Sequence, residues 1–164
     1  MTRHIIPALL AALLLVPSAS PQKVTRNNRF IVFDDCASLS AAACDVTVQQ
    51  PASGSKWVVF HYFEVYCSVA CEVTVSRDGT AATATAATEV NFNGGVTPTV
   101  TAFIDSDAGA GTTLWTFQVA AGETVGRSLS GFFLEDDDST ANNLTVQTDA
   151  ITGDAKVLIA GQEF

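Results

Sequence analysis

Between residues 57 and 77 the chain reads WVVFHYFEVYCSVACEVTVSR. Its odd positions, Trp57, Val59, His61, Phe63, Val65, Cys67, Val69, Cys71, Val73 and Val75, are apolar in all but His61. The even positions turn polar after Tyr62, with Glu64, Ser68, Glu72, Thr74 and Ser76. A period of two with one apolar face is the pattern of a half-buried strand and not of a helix. One strand of about twenty residues would span roughly 65 Å at about 3.3 Å per residue, too long for a small domain. Two solutions stay open. A hairpin turning over Ser68, Val69 and Ala70 would set Cys67 opposite Cys71, Val65 opposite Val73 and Phe63 opposite Val75, and would keep the apolar face. A long bent strand with a bulge is the other, and the lack of Gly or Asn in 68–70 weighs against the tight hairpin.

Residues 1–18 read as a secretory signal peptide: Arg3 and His4, an apolar run over 5–16, and Val16-Pro17-Ser18 as a small-residue exit with predicted cleavage before Ala19. The apolar run is too short for a permanent bilayer anchor. The pattern predicts a secreted, periplasmic or cell-surface protein with no membrane span after the signal is removed. Export bears on the four cysteines, Cys36, Cys44, Cys67 and Cys71, which are then expected to pair as disulfides. Three connectivities exist, and loop closure favours the local one, Cys36 with Cys44 and Cys67 with Cys71. The second bridge needs a turn, because four residues of straight strand would hold its cysteines about 13 Å apart. The C-x-x-C-like spacing of a zinc site is missing.

Eight Lys or Arg stand against seventeen Asp or Glu, a net charge of -9. A body this acidic repels phosphate backbones and excludes nucleic acid as a partner. Lys23, Arg26 and Arg29 concentrate positive charge in a basic arm over 19–29, which reads either as a frayed terminus or as an arm that docks on a neighbouring subunit.

The remainder, 30–164, reads as one domain of short strands punctuated by turns: PASGS at 51–55, Asp78-Gly79, Gly94-Gly95, Ala121-Gly122 and Thr152-Gly153-Asp154. The Thr/Ala run TAATATAAT at 80–88 reads as an edge strand or solvated loop, and Pro98 places the strand around it at an edge. Eight to ten strands without a helix of ordinary length predict an all-β antiparallel two-sheet sandwich, jelly-roll or immunoglobulin-like.

Chemistry is sparse. His61, the one histidine left after the signal, sits on the apolar face and reads as a core or rim residue. G-x-S-x-G, H-E-x-x-H and phosphate-loop motifs do not occur, so the chain is read as a non-enzyme. Glu64 and Glu72 would share a face in the hairpin, as carboxylate pairs do in glycosidases, although strand carboxylates are usually solubility residues. No cofactor is expected beyond calcium, whose hard-oxygen preference points to Asp105 and Asp107 in DSDAGAG and to Asp136, Asp137 and Asp138; each cluster reads first as a solvated turn. Asn143-Leu144-Thr145 fits the glycan-acceptor pattern.

From 96 to 164 the order of a Thr-rich strand, LWTFQVAAGETV, a strand with FFL, and TVQTDAITGDAKVLIAGQEF resembles the small jelly-roll modules of phage head-fibre and capsid-decoration proteins. The likeness rests on strand rhythm and the A-A-G-E turn, and it implies a non-enzymatic module that trimerises or caps a larger assembly. Two functions are therefore expected. One is a secreted structural or adhesive sandwich, partnered by itself, as a homo-oligomer such as a trimer, or by a cell-surface component. The alternative is a carbohydrate- or small-ligand-binding module with Tyr62, Tyr66 and Trp115 as stacking residues, against which Trp57 and Trp115 fall on faces that look buried.

Overall fold

The computed structural model describes residues 28–50, 57–78, 80–81, 85–87, 90–91, 99–104, 108–109, 111–134 and 142–164. The signal segment, the arm up to residue 27, Asp105, Asp107 and Asp136, Asp137 and Asp138 lie outside these residues, as does part of the Thr/Ala run.

Every described element is a strand: β1 (Asn28–Ala42), β2 (Asp45–Gln49), β3 (Val58–Cys67), β4 (Cys71–Arg77), β5 (Thr80–Ala81), β6 (Thr85–Ala86), β7 (Val90–Asn91), β8 (Thr101–Ile104), β9 (Ala108–Gly109), β10 (Thr112–Val119), β11 (Glu123–Leu134), β12 (Asn143–Thr148) and β13 (Ile151–Glu163). Four of these are two residues long, which leaves nine of ordinary length, within the expected eight to ten. They form a five-stranded sheet, β11-β3-β13-β1-β7, a six-stranded sheet, β10-β4-β12-β2-β8-β6, and the small pair β5-β9. The two large sheets pack face to face as an antiparallel β-sandwich.

The pairing pattern explains the topology. β1 pairs with β13, β2 with β12, β3 with β11 and β4 with β10, all antiparallel. Successive strands of β1 to β4 alternate between sheets. The chain is therefore one long antiparallel ribbon folded over at each corner, with the β5 to β9 segment inserted between β4 and β10. That winding is a jelly roll rather than an immunoglobulin-like sandwich.

It also corrects the hairpin. The stretch 57–77 does supply two strands, but β3 belongs to the five-stranded sheet and β4 to the six-stranded one, so they do not pair. Residues 68–70 turn a corner between sheets, and Val65 and Val73 stand on opposite walls of the core. The sequence lacked a positive-φ residue for a tight reversal, and each strand instead gains two full-length partners: β11 and β13 flank β3, and β10 and β12 flank β4. Glu64 and Glu72 consequently lie on outer faces of different sheets, which removes the carboxylate pair.

A second departure lies at His61. Val58 and Phe60 are buried, and so are Phe63, Val65 and Cys67, so the alternation slips by one residue between them. On β13, Ala160 faces Tyr62 and the next residue, Gly161, already faces Phe60; His61 is the extra residue of a bulge. On the other side Leu129, Ser130 and Gly131 of β11 loop past it, with Gly131 at φ 89. The expected core or rim histidine is exposed, and its Nε2–H donates to Gln162 Oε1 at 3.2 Å. Trp57 and Val59, expected on the buried face, point outward for the same reason.

The core is built from Phe30, Val32, Phe60, Phe63, Val65, Val157 and Ile159 of one sheet and Val46, Val48, Val73, Val75, Leu144 and Val146 of the other. Each fully buried side chain of this size contributes about 1.5–3 kcal/mol. Phe30 and Phe60 meet edge to face at 6.5 Å. Gly161 lies between them in the ladder, where a Cβ would come within 2.6 Å of Phe30 Cζ.

Both disulfides are local, Cys36–Cys44 and Cys67–Cys71. The second closes the corner between sheets. Ser68 N–H donates to the Asp154 carbonyl at 2.8 Å, Asp154 N–H donates to Ser68 Oγ at 2.7 Å, and Gly122 N–H donates to the Cys67 carbonyl at 2.8 Å. Gly153, at φ 147, allows this approach, since a Cβ there would lie 2.5 Å from Ser68 Oγ. Chain-entropy reasoning for so short a loop gives the Cys67–Cys71 bond about 2 kcal/mol. The double variant Cys67→Ser, Cys71→Ser is expected to lose about that much in urea unfolding while keeping its far-UV spectrum. An unchanged midpoint would show that the corner holds without the bond.

Candidate functional site

Alternation along the five-stranded sheet places a defined set of side chains on its outer face. Cross-strand pairing arranges them in rows: Thr124, Tyr66, Lys156 and Asp35; then Gly126, Glu64, Leu158 and Phe33; then Ser128, Tyr62, Ala160 and Ile31; then Phe133, Val59, Gln162 and Arg29. Beyond the last row, Phe164 N–H donates to the Trp57 carbonyl at 3.0 Å, which brings these two aromatics to the same end. On the side of the six-stranded sheet away from the core lie half-buried Thr74, Ser76, Gln147 and Phe103, with Thr47 and Thr145 buried and hydrogen-bonded to each other at 2.8 Å. The strongly exposed aromatics of these two faces thus lie on the five-stranded sheet, while the other side, Phe103 apart, carries mainly hydroxyl and amide groups that are half-buried or buried.

The aromatic face divides into two ends. At one, Trp57 and Phe133 stack at 6.2 Å with 15° between their planes, and they are 52% and 46% exposed. At the other, a groove of about 650 Å³ is lined by Phe33, Asp35, Glu64, Tyr66, Asp154 and Lys156 among others. Bulges late in β1, after Cys36 and after Ser40, bring Ser38 to this rim, where its N–H donates to Asp154 Oδ1 at 2.7 Å. Lys156 Nζ donates to Asp35 Oδ2 at 2.8 Å, and that bond, with the carboxylate's charge, holds the ammonium above its ordinary range. Four carboxylate residues, Asp34, Asp35, Glu64 and Asp154, against the one ammonium of Lys156 leave the groove lining acidic.

Of the three predicted stacking residues, the structure brings two to this face. Tyr66 lines the groove. Tyr62 lies across Gly126 of β11, where any Cβ would collide with its ring, and its hydroxyl donates to Glu64 Oε2 at 2.6 Å. Trp115 is elsewhere. It sits on the edge strand β10, 46% exposed, in a smaller concavity of about 240 Å³ between the β10 and β11 edges, beside Phe117 and Arg127. The guanidinium of Arg127 lies 4.8 Å from the Phe117 ring centroid. Trp115 keeps the inward register expected of it, opposite the buried Val75, and its ring meets Phe132 of the other sheet at 6.3 Å; its place at the open edge between the sheets is what leaves it exposed.

Phe33 escaped the sequence reading because the short strand around it looked like core. Its alternation with the buried Phe30, Val32 and Asp34 was the signal that could have found it. Asn143, the glycan-acceptor candidate, is 2% exposed inside β12 and has no room for a sugar. A buried group of Asp34, Cys36 and Cys44 has metal-like proximity, with Asp34 Oδ2 2.9 Å from Cys36 Sγ. The sulfurs are bonded to each other and are not thiolates, so they offer no metal ligand.

Glu64 holds the Tyr62 phenol above its ordinary value of 10.0, first through the hydrogen bond, then with burial and the carboxylate's charge. A raised phenol pKa favours the protonated form in the fold, so its contribution is full below about pH 10 and is lost as pH rises through the folded value. The chain has two tyrosines. In a Tyr66→Phe background, absorbance titration is expected to report Tyr62 ionising above pH 10, and Glu64→Gln to bring it down; identical curves would show that the bond does not form.

No helix among the described residues is long and apolar enough to cross a membrane, and two disulfides fit an oxidising, extracytoplasmic compartment. No family model, no curated protein and no solved structure matches the chain.

Proposed function

We propose that this is an exported, non-enzymatic sandwich protein with a structural or adhesive role, which works by associating through the outer face of its five-stranded sheet. One observation carries the reading: Phe33, Trp57, Phe133 and Phe164, four of the six large hydrophobic residues most exposed among the described residues, belong to that face. Half-buried Ile31, Val59 and Leu158 fill the space between them. Contiguous apolar surface of this kind is unusual on a monomer and marks a contact surface. The non-enzymatic part is supported by His61, whose ring nitrogen is engaged by the Gln162 amide and not by a hydroxyl or thiol. The leader-like segment 1–18 and the oxidised cysteines support export.

Analytical ultracentrifugation tests association. The protein is expected to self-associate with rising concentration, and Trp57→Ser with Phe133→Ser to weaken this by about tenfold or more, since aromatic anchors dominate such contacts. A monomer that persists to millimolar concentration would end the reading.

The groove favours a second reading, recognition of an uncharged sugar chain. Tyr66 and Phe33 offer faces for sugar C–H groups, the carboxylates accept hydroxyl protons, and about 650 Å³ lies within the usual range for a ligand cleft. Calorimetric titration with cellohexaose and chitohexaose is expected to show binding that Tyr66→Ala abolishes. Silence from both sugars at millimolar concentration removes it.

A further inference from the structure

The outer face of the five-stranded sheet is polar in charge as well as in shape. Arg29 stands at the aromatic end, in the row of Val59 and Phe133, while Asp35, Glu64 and Asp154 stand at the groove end. Arg29 and Asp35 are six residues apart on one strand, about 20 Å, so they cannot reach one another within a copy. Arg29 is exposed, and Asp35 is 52% exposed despite its bond to Lys156.

Of the two-fold axes lying between two copies of this face, two directions keep the strands of both copies aligned. A two-fold axis along the strands lays each end on its own counterpart, bringing Asp35, Glu64 and Asp154 of one copy to the acidic end of the other, where Lys156 is the single cation. A two-fold axis in the plane of the sheet but across the strands, passing near the Tyr62 and Ala160 row, reverses the ends and keeps each strand over itself. Arg29 then falls over Phe33 and beside Asp35 of the second copy, Lys156 falls over Trp57 and Phe164, and the acidic groove receives the aromatic end. Like charges directly opposed cost affinity, whereas ammonium or guanidinium over aromatic rings and carboxylates is favourable. In a chain of net charge -9, where two of the four cationic side chains of the described residues lie on this one face, that difference decides between the two packings.

We propose that the occupant of this face is a second copy of the same chain, packed sheet on sheet about a two-fold axis across the strands, with Arg29 of each copy paired to Asp35 of the other. This rests on the association proposed above and adds its geometry. Each dimer holds two such contacts, and the apolar area between them consists of Ile31, Val59, Tyr62 and Leu158. The groove is covered in the dimer, so sugar binding and dimerisation compete for it.

Charge exchange tests the packing. Arg29→Asp and Asp35→Arg alone each place two like-charge contacts in the homodimer and are expected to weaken it about tenfold or more. An equimolar mixture of the two variants restores opposite charge at both contacts and is expected to recover wild-type affinity within about threefold. A second measurement needs only a conservative change. In the Arg29→Lys variant, carbodiimide coupling of mixed unlabelled and ¹⁵N-labelled protein is expected to join position 29 to Asp35 in hybrid-isotope peptides. A wild-type protein that stays monomeric overturns association and packing together. A wild-type dimer whose charge variants do not recover on mixing, and whose couplings to Asp35 are absent, overturns this packing alone.

Discussion

Phe63 and Val65 on β3 and Val73 and Val75 on β4 bury against one another across two sheets, and the chain crosses between those sheets at residues 68–70 without changing which way its odd residues point. That preserved parity is the constraint on which the rest depends. Had the corner contained one residue more or fewer, β4 would present Glu72, Thr74 and Ser76 to the core, and buried hydroxyls and a carboxylate without partners are costly. The Cys67–Cys71 bond and the Ser68 contacts to Asp154 hold the corner at that length. Ribbon pairing of β1 to β4 with β13 to β10 then follows as the arrangement that satisfies the backbone of every long strand.

The bulge at His61 has the opposite character. It breaks the parity of β3 once, so that Val58 and Phe60 fill the core beside Phe30 while Trp57 and Val59 turn to the outer face. Without it the aromatic end of that face would lose Trp57 to the interior. A single inserted residue therefore links the core to the surface: it supplies the core with Phe60 and the surface with the Trp57 and Phe133 stack. Gly126 and Gly161 act in the same direction on the two sides of the sheet, the first leaving space for the Tyr62 ring and the second for Phe30.

Electrostatics give the face direction. Carboxylates gather around Tyr66 at one end and Arg29 stands at the other, so the apolar area between them is bounded by unlike charges. Apolar burial sets how strongly such a surface associates, and the charges set its orientation and exclude partners that oppose like signs. Among the described residues, the far side of the six-stranded sheet carries mainly hydroxyl and amide groups, of which Thr47 and Thr145 are buried against each other.

Much of this was legible from residues alone. The period of two in 57–77 required strands, the spacing of the cysteines favoured local bridges, and the turn signals implied a sandwich of about the observed strand number. The function and export readings rest on the same chain and are tested only in solution. What the chain alone left open was partner choice. Whether β3 pairs with β4 or with β11 and β13 depends on ladders between residues up to a hundred positions apart, for which local alternation carries no information. The faces of Trp57 and His61 depended on a bulge, and a bulge arises from the mismatch between a strand and its distant neighbours. Local pattern thus determined that these residues are strands with one buried face, while the three-dimensional pairing decided which face that is at each position and what surface is left for a partner.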